Sequence, residues 1–257
     1  MTHTRPLILI TNDDGVSAPG LRFLTKCALD YGDVIVVAPD GPRSAQSSAI
    51  TVEKPLFINE CPPIDSAKIY STNGTPVDCI KLAMHAIIHR TPDIILSGIN
   101  HGSNSGNSII YSGTMGATME GCMLGIPSIG FSLLDYSWEA DFSVCDKIIR
   151  LIITKVLSES LPKNICLNVN IPAKNPPKGI RTVRASHGRW TEEYHKYTTP
   201  HGRPFYWLTG TYINDEPDAV DTDDYWLNKG YATIVPVRPD QSATDYIHQL
   251  EYTTDFH

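Results

Sequence analysis

The sequence predicts an α/β fold: a Rossmann-like, mostly parallel sheet with helices on both faces, plus a smaller β-rich C-terminal extension. Three observations carry this expectation. Short continuous apolar runs at 7–10, 34–38 and 94–99 read as strands covered on both faces. Stretches with apolar residues at helical spacing lie between the runs, and that alternation is the mark of a doubly wound sheet. The length of 257 residues, 41% hydrophobic and 19% charged, supports one α/β domain with an elaboration, or two small domains.

Each element follows in turn. The strand at 7–10 runs straight into Thr11-Asn12-Asp13-Asp14-Gly15. A helix is expected over 18–31, where Leu21, Leu24, Ala28 and Leu29 share one face. The second buried strand spans 34–38, and shorter strands at 56–58 and 69–71 can pair antiparallel. Residues 76–88 read as a helix with Pro76 in its first turn, where a missing N–H costs nothing. After the strand at 94–99 come a helix rich in small residues over 113–124, a strand at 127–133, a helix at 145–156 and a strand at 165–169. Composition then shifts. Residues 173–179 form a proline-rich loop, so we divide the chain into a core at 1–171 and an extension at 172–257. In the extension, Trp190, Tyr194, Tyr197, Phe205, Tyr206 and Trp207 suggest hairpins with aromatic cross-strand pairs. A short helix reaching Gly230 and a returning strand at 231–237 follow, and the last residues form a helix or an oligomerisation arm. There is no internal repeat and no low-complexity segment.

Composition excludes several functions. A formal net charge of -7 argues against a surface for a nucleic-acid polymer, which would be basic. No apolar run is long enough to span a bilayer, and the N-terminus leads directly into the first strand, so neither a membrane partner nor a signal peptide is expected. The six cysteines are scattered without a C-x-x-C pair, which fits buried thiols in a reducing cytoplasm.

The chemistry concentrates in four loops. Asp13 and Asp14 stand where a parallel strand ends, the place where open α/β sheets bind ligands. Two adjacent carboxylates repel unless a cation or proton lies between them, and a hard cation with oxygen ligands answers that need. The same Asn-Asp-Asp-Gly is equally good turn chemistry. The second loop, 39–48, carries Asp40, Arg43 and Ser44; the third, 100–107, carries Asn100, His101 and Asn104. Their side-chain oxygens suit Mg²⁺ or Mn²⁺ better than zinc. The fourth, Tyr111-Ser112-Gly113-Thr114, opens a helix whose hydroxyls, free N–H groups and dipole make an anion site. Taken alone, Ser112 reads as a helix cap.

Other residues weigh less. His101 is an acid–base candidate or a hydrogen-bonding bystander, and Arg43 a phosphate partner or an ordinary surface arginine. Asn73-Gly74 is a turn, with Thr72, Thr75 and Asp78 capping the next helix. The aromatics at 205–207 read as packing or interface. No P-loop, G-x-G-x-x-G after a strand, or G-x-S-x-G occurs, which removes the P-loop NTPase and weakens the dinucleotide and α/β-hydrolase readings.

Together, Ile10-Thr-Asn-Asp-Asp-Gly15, Ala38-Pro-Asp…Arg43-Ser44, Ser97-Gly-Ile-Asn100, Gly102-x-Asn104 and Tyr111-Ser-Gly-Thr114 resemble the SurE (survival protein E) family. Gly74-Thr-Pro-x-Asp78 and the segment from Thr222-Asp to Gly-Tyr231 extend the resemblance along almost the whole chain. It implies a metal-dependent phosphomonoesterase hydrolysing nucleoside 5′-monophosphates, with 3′-monophosphates and short polyphosphate as further substrates. It also implies a ligand set: Asp13, Asp14, Ser44 and Asn100 around one divalent cation per subunit, Mg²⁺ or Mn²⁺, and Asn104, Ser112, Gly113 and Thr114 on the phosphate. Asp13 and Asp14 are the catalytic candidates, assisting direct attack by water. Members form dimers or tetramers through exchanged C-terminal elements, so a homodimer or homotetramer is expected. The sequence differs from the family pattern at Gly41-Pro42, Gln46 and His101. Two other readings stand beside this one. A metal-dependent nucleoside N-ribosyl hydrolase also begins with an apolar strand and an aspartate cluster, though with a D-x-D-x-x-x-D-D pattern that this chain lacks. A nucleotide-sensing protein would gain little from carboxylates next to a phosphate.

Overall fold

The computed structural model describes residues 5–249. Its frame is a nine-stranded sheet. β1 (Leu7–Thr11), β2 (Asp33–Pro39), β4 (Ala67–Thr72), β5 (Ile94–His101), β6 (Ser128–Leu133) and β7 (Cys166–Ile171) run parallel; β3 (Ile58–Ile64) lies antiparallel on β4, and β13 (Ala232–Val237) antiparallel on β7. β8 (Ile180–Thr182) closes the far edge beside β13, so the spatial order is β3-β4-β2-β1-β5-β6-β7-β13-β8. Two small antiparallel ribbons stand apart: β9 (Gly188–Thr191) with β12 (Thr211–Asn214), and β10 (Tyr194–Thr198) with β11 (Pro204–Leu208).

The strand period sorts the core into two layers. Ile8 and Ile10 of β1 pack with Leu21 and Leu24 of α1 (Pro19–Leu29) and Ile149, Ile152 and Ile153 of α4 (Asp146–Glu159). Leu7 and Leu9 point the other way, to Cys79 and Ile80 of α2 (Pro76–Leu82) and Ala117 of α3 (Gly113–Met123). Alternate side chains of a strand face opposite sides of a sheet, so an unbroken apolar run is what a strand between two helical layers requires.

Elements differ from the sequence expectation where proline or brevity hides them. The strand expected at 56–58 lies at β3, which contains Pro62 and Pro63; at a sheet edge the missing N–H groups break no ladder. The helix expected through residue 88 changes to a π turn at Ala83–Ile87. β8 has three residues, too few to show a period. The short helix before Gly230 is α5 (Asp223–Asn228). In the tail, Thr244–Gln249 is a 3₁₀ segment, and Leu250, Tyr252 and Phe256 lie outside the described residues. Among the described residues no helix is long and apolar enough to cross a membrane.

Candidate active site

The order in which strands are added reverses between β1 and β5, which themselves run parallel. From β1 the chain builds outward through β2 and β4, then returns to the other side of β1 with β5 and continues through β6 and β7. The carboxyl ends of β1 and β5 therefore flank a topological switch point, where no crossover covers the sheet edge and ligands bind. Asn12, Asp13 and Asp14 follow β1, and Asn100 and His101 end β5.

A cavity of about 600 Å³ opens there, large enough for a nucleotide. Asp13, Asp14, Ser44, Asn100, Asn104 and Ser112 all line it. Gly113 and Thr114 sit immediately behind, in the first turn of α3. The structure thus brings the four sequence-distant loops together at one point.

Asp13 is the buried member of the carboxylate pair, 5% exposed. Burial first, and repulsion by Asp14 second, push its carboxyl up to about 6, against the pull of the Thr114 hydroxyl and backbone N–H. The Thr114 hydroxyl donates to Asp13 Oδ1 at 2.6 Å, so it meets the carboxylate rather than the cavity. Gly113 permits this closeness: a Cβ there would stand 2.9 Å from Asp13 Cβ and 3.0 Å from Oδ2. Asp14 is held differently. The backbone N–H of His101 donates to Asp14 Oδ2 at 3.1 Å, and His101 Nδ1 lies at 3.1 Å from the same oxygen. The imidazole is clamped in turn, stacked on Trp138 at 5.3 Å and edge-on to Phe142 at 5.1 Å.

The oxygen donors fit a hard cation. Asn100 Nδ2 donates to the carbonyls of His101 and Gly102, which turns the amide oxygen of Asn100 away from those partners. Ser44 is exposed on the cavity wall. Among the described residues there is no cluster of three or more His, Cys, Asp or Glu, the set a zinc site would use. Two carboxylates with amide and hydroxyl oxygens make a hard-oxygen donor set.

On the anion side, Ser112 caps α3, its Oγ accepting from Met115 N at 3.0 Å. This eleven-residue helix starts at the cavity wall, which places the positive end of its dipole beside the site. Arg43 does not reach for an anion: it binds Asp40 at 2.7 Å and the carbonyls of Pro42 and Gly74, bracing the second loop.

The family model for Survival protein SurE matches residues 8–192. The chain belongs to the SurE family. A protein of Christiangramia forsetii named 5′-nucleotidase SurE is 48% identical over 254 residues, covering 97% of each chain. One of the same name from Flavobacterium psychrophilum is 46% identical over 250 residues, covering 96% of this chain and 97% of that one. The crystal structure of the Sure protein from Aquifex aeolicus superposes with a TM-score of 0.83 at 35% identity, covering 96% of this chain and 99% of that one. Neither the N-ribosyl hydrolase nor the nucleotide-sensor reading finds support in these comparisons.

Residues outside the four loops also line the cavity. Tyr136 lies against Gly102 and lines the wall, and Trp190, Glu193, Tyr194, Leu208 and Thr209 of the extension form the far rim. These carry no motif signal, because they are remote in sequence from the four loops. A buried amide network was also missed. Asn170 Oδ1 accepts the Asn104 N–H at 2.8 Å, Asn168 Nδ2 donates to the Asn104 carbonyl at 2.8 Å, and Asn104 Nδ2 donates to Ser132 Oγ at 2.8 Å. Two asparagines with no exposure in an interior strand were the available clue, since buried amides must find partners.

Proposed function

We propose that this chain is a divalent-metal-dependent 5′-nucleotidase, hydrolysing nucleoside 5′-monophosphates to nucleoside and phosphate. One observation carries the reading: the Asp13–Asp14 pair sits at the sheet's switch point, inside a nucleotide-sized cavity and beside the N-terminus of α3, in a chain of the SurE family. Relatives along nearly the full length bear the name 5′-nucleotidase SurE.

Asp13, Asp14, Ser44 and Asn100 hold one Mg²⁺ or Mn²⁺ per subunit. When bound, the cation supplies charge neutralisation and polarisation of a phosphoryl oxygen. Asn104, Ser112 and the first turn of α3 at Gly113 and Thr114 hold the phosphate, where charge grows in the transition state. The Thr114 hydroxyl keeps Asp13 oriented, and His101 does the same for Asp14. Asp14 or Asp13 accepts the proton of the attacking water. The protein works in the cytoplasm as a homodimer or homotetramer. Support for assembly comes from β10 and β11, whose residues are all exposed, Tyr206 by 61% and Trp207 by 63%.

Phosphate release from a panel of 5′- and 3′-monophosphates and short polyphosphate, with Mn²⁺, with Mg²⁺ and with EDTA, tests the reading. Metal-dependent release from 5′-monophosphates is expected. Free base in place of phosphate would favour the ribosyl hydrolase, and binding without turnover the sensor.

A further inference from the structure

The loop after β5 is the part of the site that carries Asn104, and it has no regular structure of its own until the 3₁₀ turn at Gly106–Ile110. Its position is set by side chains from elsewhere. One support is the asparagine pair of β7. The other comes from the start of α5, about a hundred and twenty residues later in the chain. Asp223 is fully buried; its Oδ2 accepts the Gly106 N–H at 2.8 Å and its Oδ1 the Ser186 N–H at 2.9 Å. Asp224 Oδ1 accepts the Ser105 hydroxyl at 2.6 Å, and its Oδ2 accepts the Ser186 hydroxyl. The two neighbours thus grip two consecutive residues of the loop on one side and the segment entering β9 on the other. Ser103 completes the chain of bonds, donating to Ser105 Oγ at 2.8 Å and lying 3.3 Å from Asn170 Oδ1.

We propose that Asp223 and Asp224 are positioning residues of the phosphate site: they bolt the loop 103–106 to the C-terminal extension and so hold Asn104 at the reacting group. Neither carboxylate lines the cavity, so neither touches substrate. Bonds from a carboxylate to a backbone N–H and a hydroxyl are charge-assisted and short, which suits them to fixing a loop. A fully buried carboxylate is costly unless its oxygens are paired, and both oxygens of Asp223 are, one of them on the loop; the half-buried Asp224 reaches the same loop through Ser105. Displacing a binding group by about 1 Å can cost on the order of a hundredfold in rate, so small losses of grip are measurable.

The inference rests on the nucleotidase reading, and its test separates the two. Asp224→Ala removes the grip on Ser105 and Ser186. Asp224→Asn keeps an acceptor for Ser105, and its amide can donate to the Ser186 hydroxyl. Ser105→Ala releases the loop from the other partner. The assay measures kcat and KM on a nucleoside monophosphate, inhibition by inorganic phosphate, Mn²⁺ affinity by calorimetry, and melting temperature. Asp224→Ala and Ser105→Ala are expected to lower kcat about tenfold and weaken phosphate inhibition about tenfold. Mn²⁺ affinity should stay at the wild-type value, because Asp13, Asp14, Ser44 and Asn100 are outside the loop. Asp224→Asn should recover most of both losses. Wild-type kcat and phosphate inhibition in Ser105→Ala and Asp224→Ala would overturn the positioning role alone, and Ser105→Ala decides the matter if Asp224→Ala does not fold. Equal impairment of Asp224→Asn and Asp224→Ala would overturn the hydrogen-bonding role. A wild-type protein that releases no phosphate would overturn the nucleotidase reading and this inference with it.

Discussion

Burial of Asp13 makes its contribution to stability depend on pH. Its carboxyl is raised to about 6 by desolvation and by the neighbouring Asp14, so the folded chain holds that proton more tightly than the unfolded chain does. The associated stability is fully present below the ordinary carboxylate range and is lost as pH rises through about 6. Asp13→Asn keeps the volume and removes the charge. In EDTA its melting temperature should match wild type near pH 4 and exceed it at pH 7, as read by scanning calorimetry; a wild-type protein as stable as the variant at pH 7 would contradict the assignment. The same variant should lose nearly all turnover in the presence of Mn²⁺, because a charged ligand is gone. Thr114→Val tests the partner. It deletes the 2.6 Å bond to Asp13 at almost constant shape, and hydrogen bonds to charged groups are worth roughly 1.5–3 kcal/mol. If Asp13 must be oriented in the transition state, kcat should fall by about ten- to a hundredfold in steady-state kinetics.

Helix α3 links the proposed metal side of the site to the proposed phosphate side. Gly113 at its first position is poor for helix propensity, and Gly113→Ala in an unconstrained helix would gain up to about 1 kcal/mol. Here the added methyl would meet Asp13 at 2.9–3.0 Å. We expect Gly113→Ala to abolish most activity while leaving the helix and the circular dichroism spectrum intact. Retained activity would mean that α3 and the β1 loop can separate without harm to the site. The helix was readable from its composition, and so was the Ser112 cap. The closeness of Gly113 to Asp13 was not, because a glycine at a helix start also serves as an ordinary N-terminal residue. His101 follows the same logic: the residue type suggested chemistry, while its place between Asp14, Trp138 and Phe142 depends on three separate segments.

The molecule as a whole leaves an aromatic ribbon in solvent. Tyr194, Tyr206, Trp207 and Leu208 are each more than half exposed, and the tail residues Tyr246 and Ile247 are 48% and 60% exposed. Exposed apolar surface of this kind marks an interaction site, and the proposed homo-oligomer would cover it with a second copy of the chain. Light scattering should give a dimer or tetramer for the full chain and a shift toward monomer when it is cut after Asp240. A monomeric full-length protein, or an unchanged mass after truncation, would count against exchange of the tail.

The sequence by itself determined the two-layer α/β frame, because unbroken apolar runs at 7–10, 34–38 and 94–99 have no other way to satisfy both faces of a strand. It also determined the short motifs, whose residues are neighbours in the chain: Asp13 beside Asp14, and Ser112 beside Gly113 and Thr114. Only the tertiary structure decided which oxygen of each side chain is spent on the protein and which is left for a ligand. It alone carried Asn168 and Asn170 to Asn104, and Asp223 and Asp224 to the loop 103–106. The reason is range. Periodicity and capping are local, set within a few residues, whereas the bonds that tie β7 and α5 to this site span 64 to 119 positions and exist only once the fold brings those elements within reach of the loop after β5.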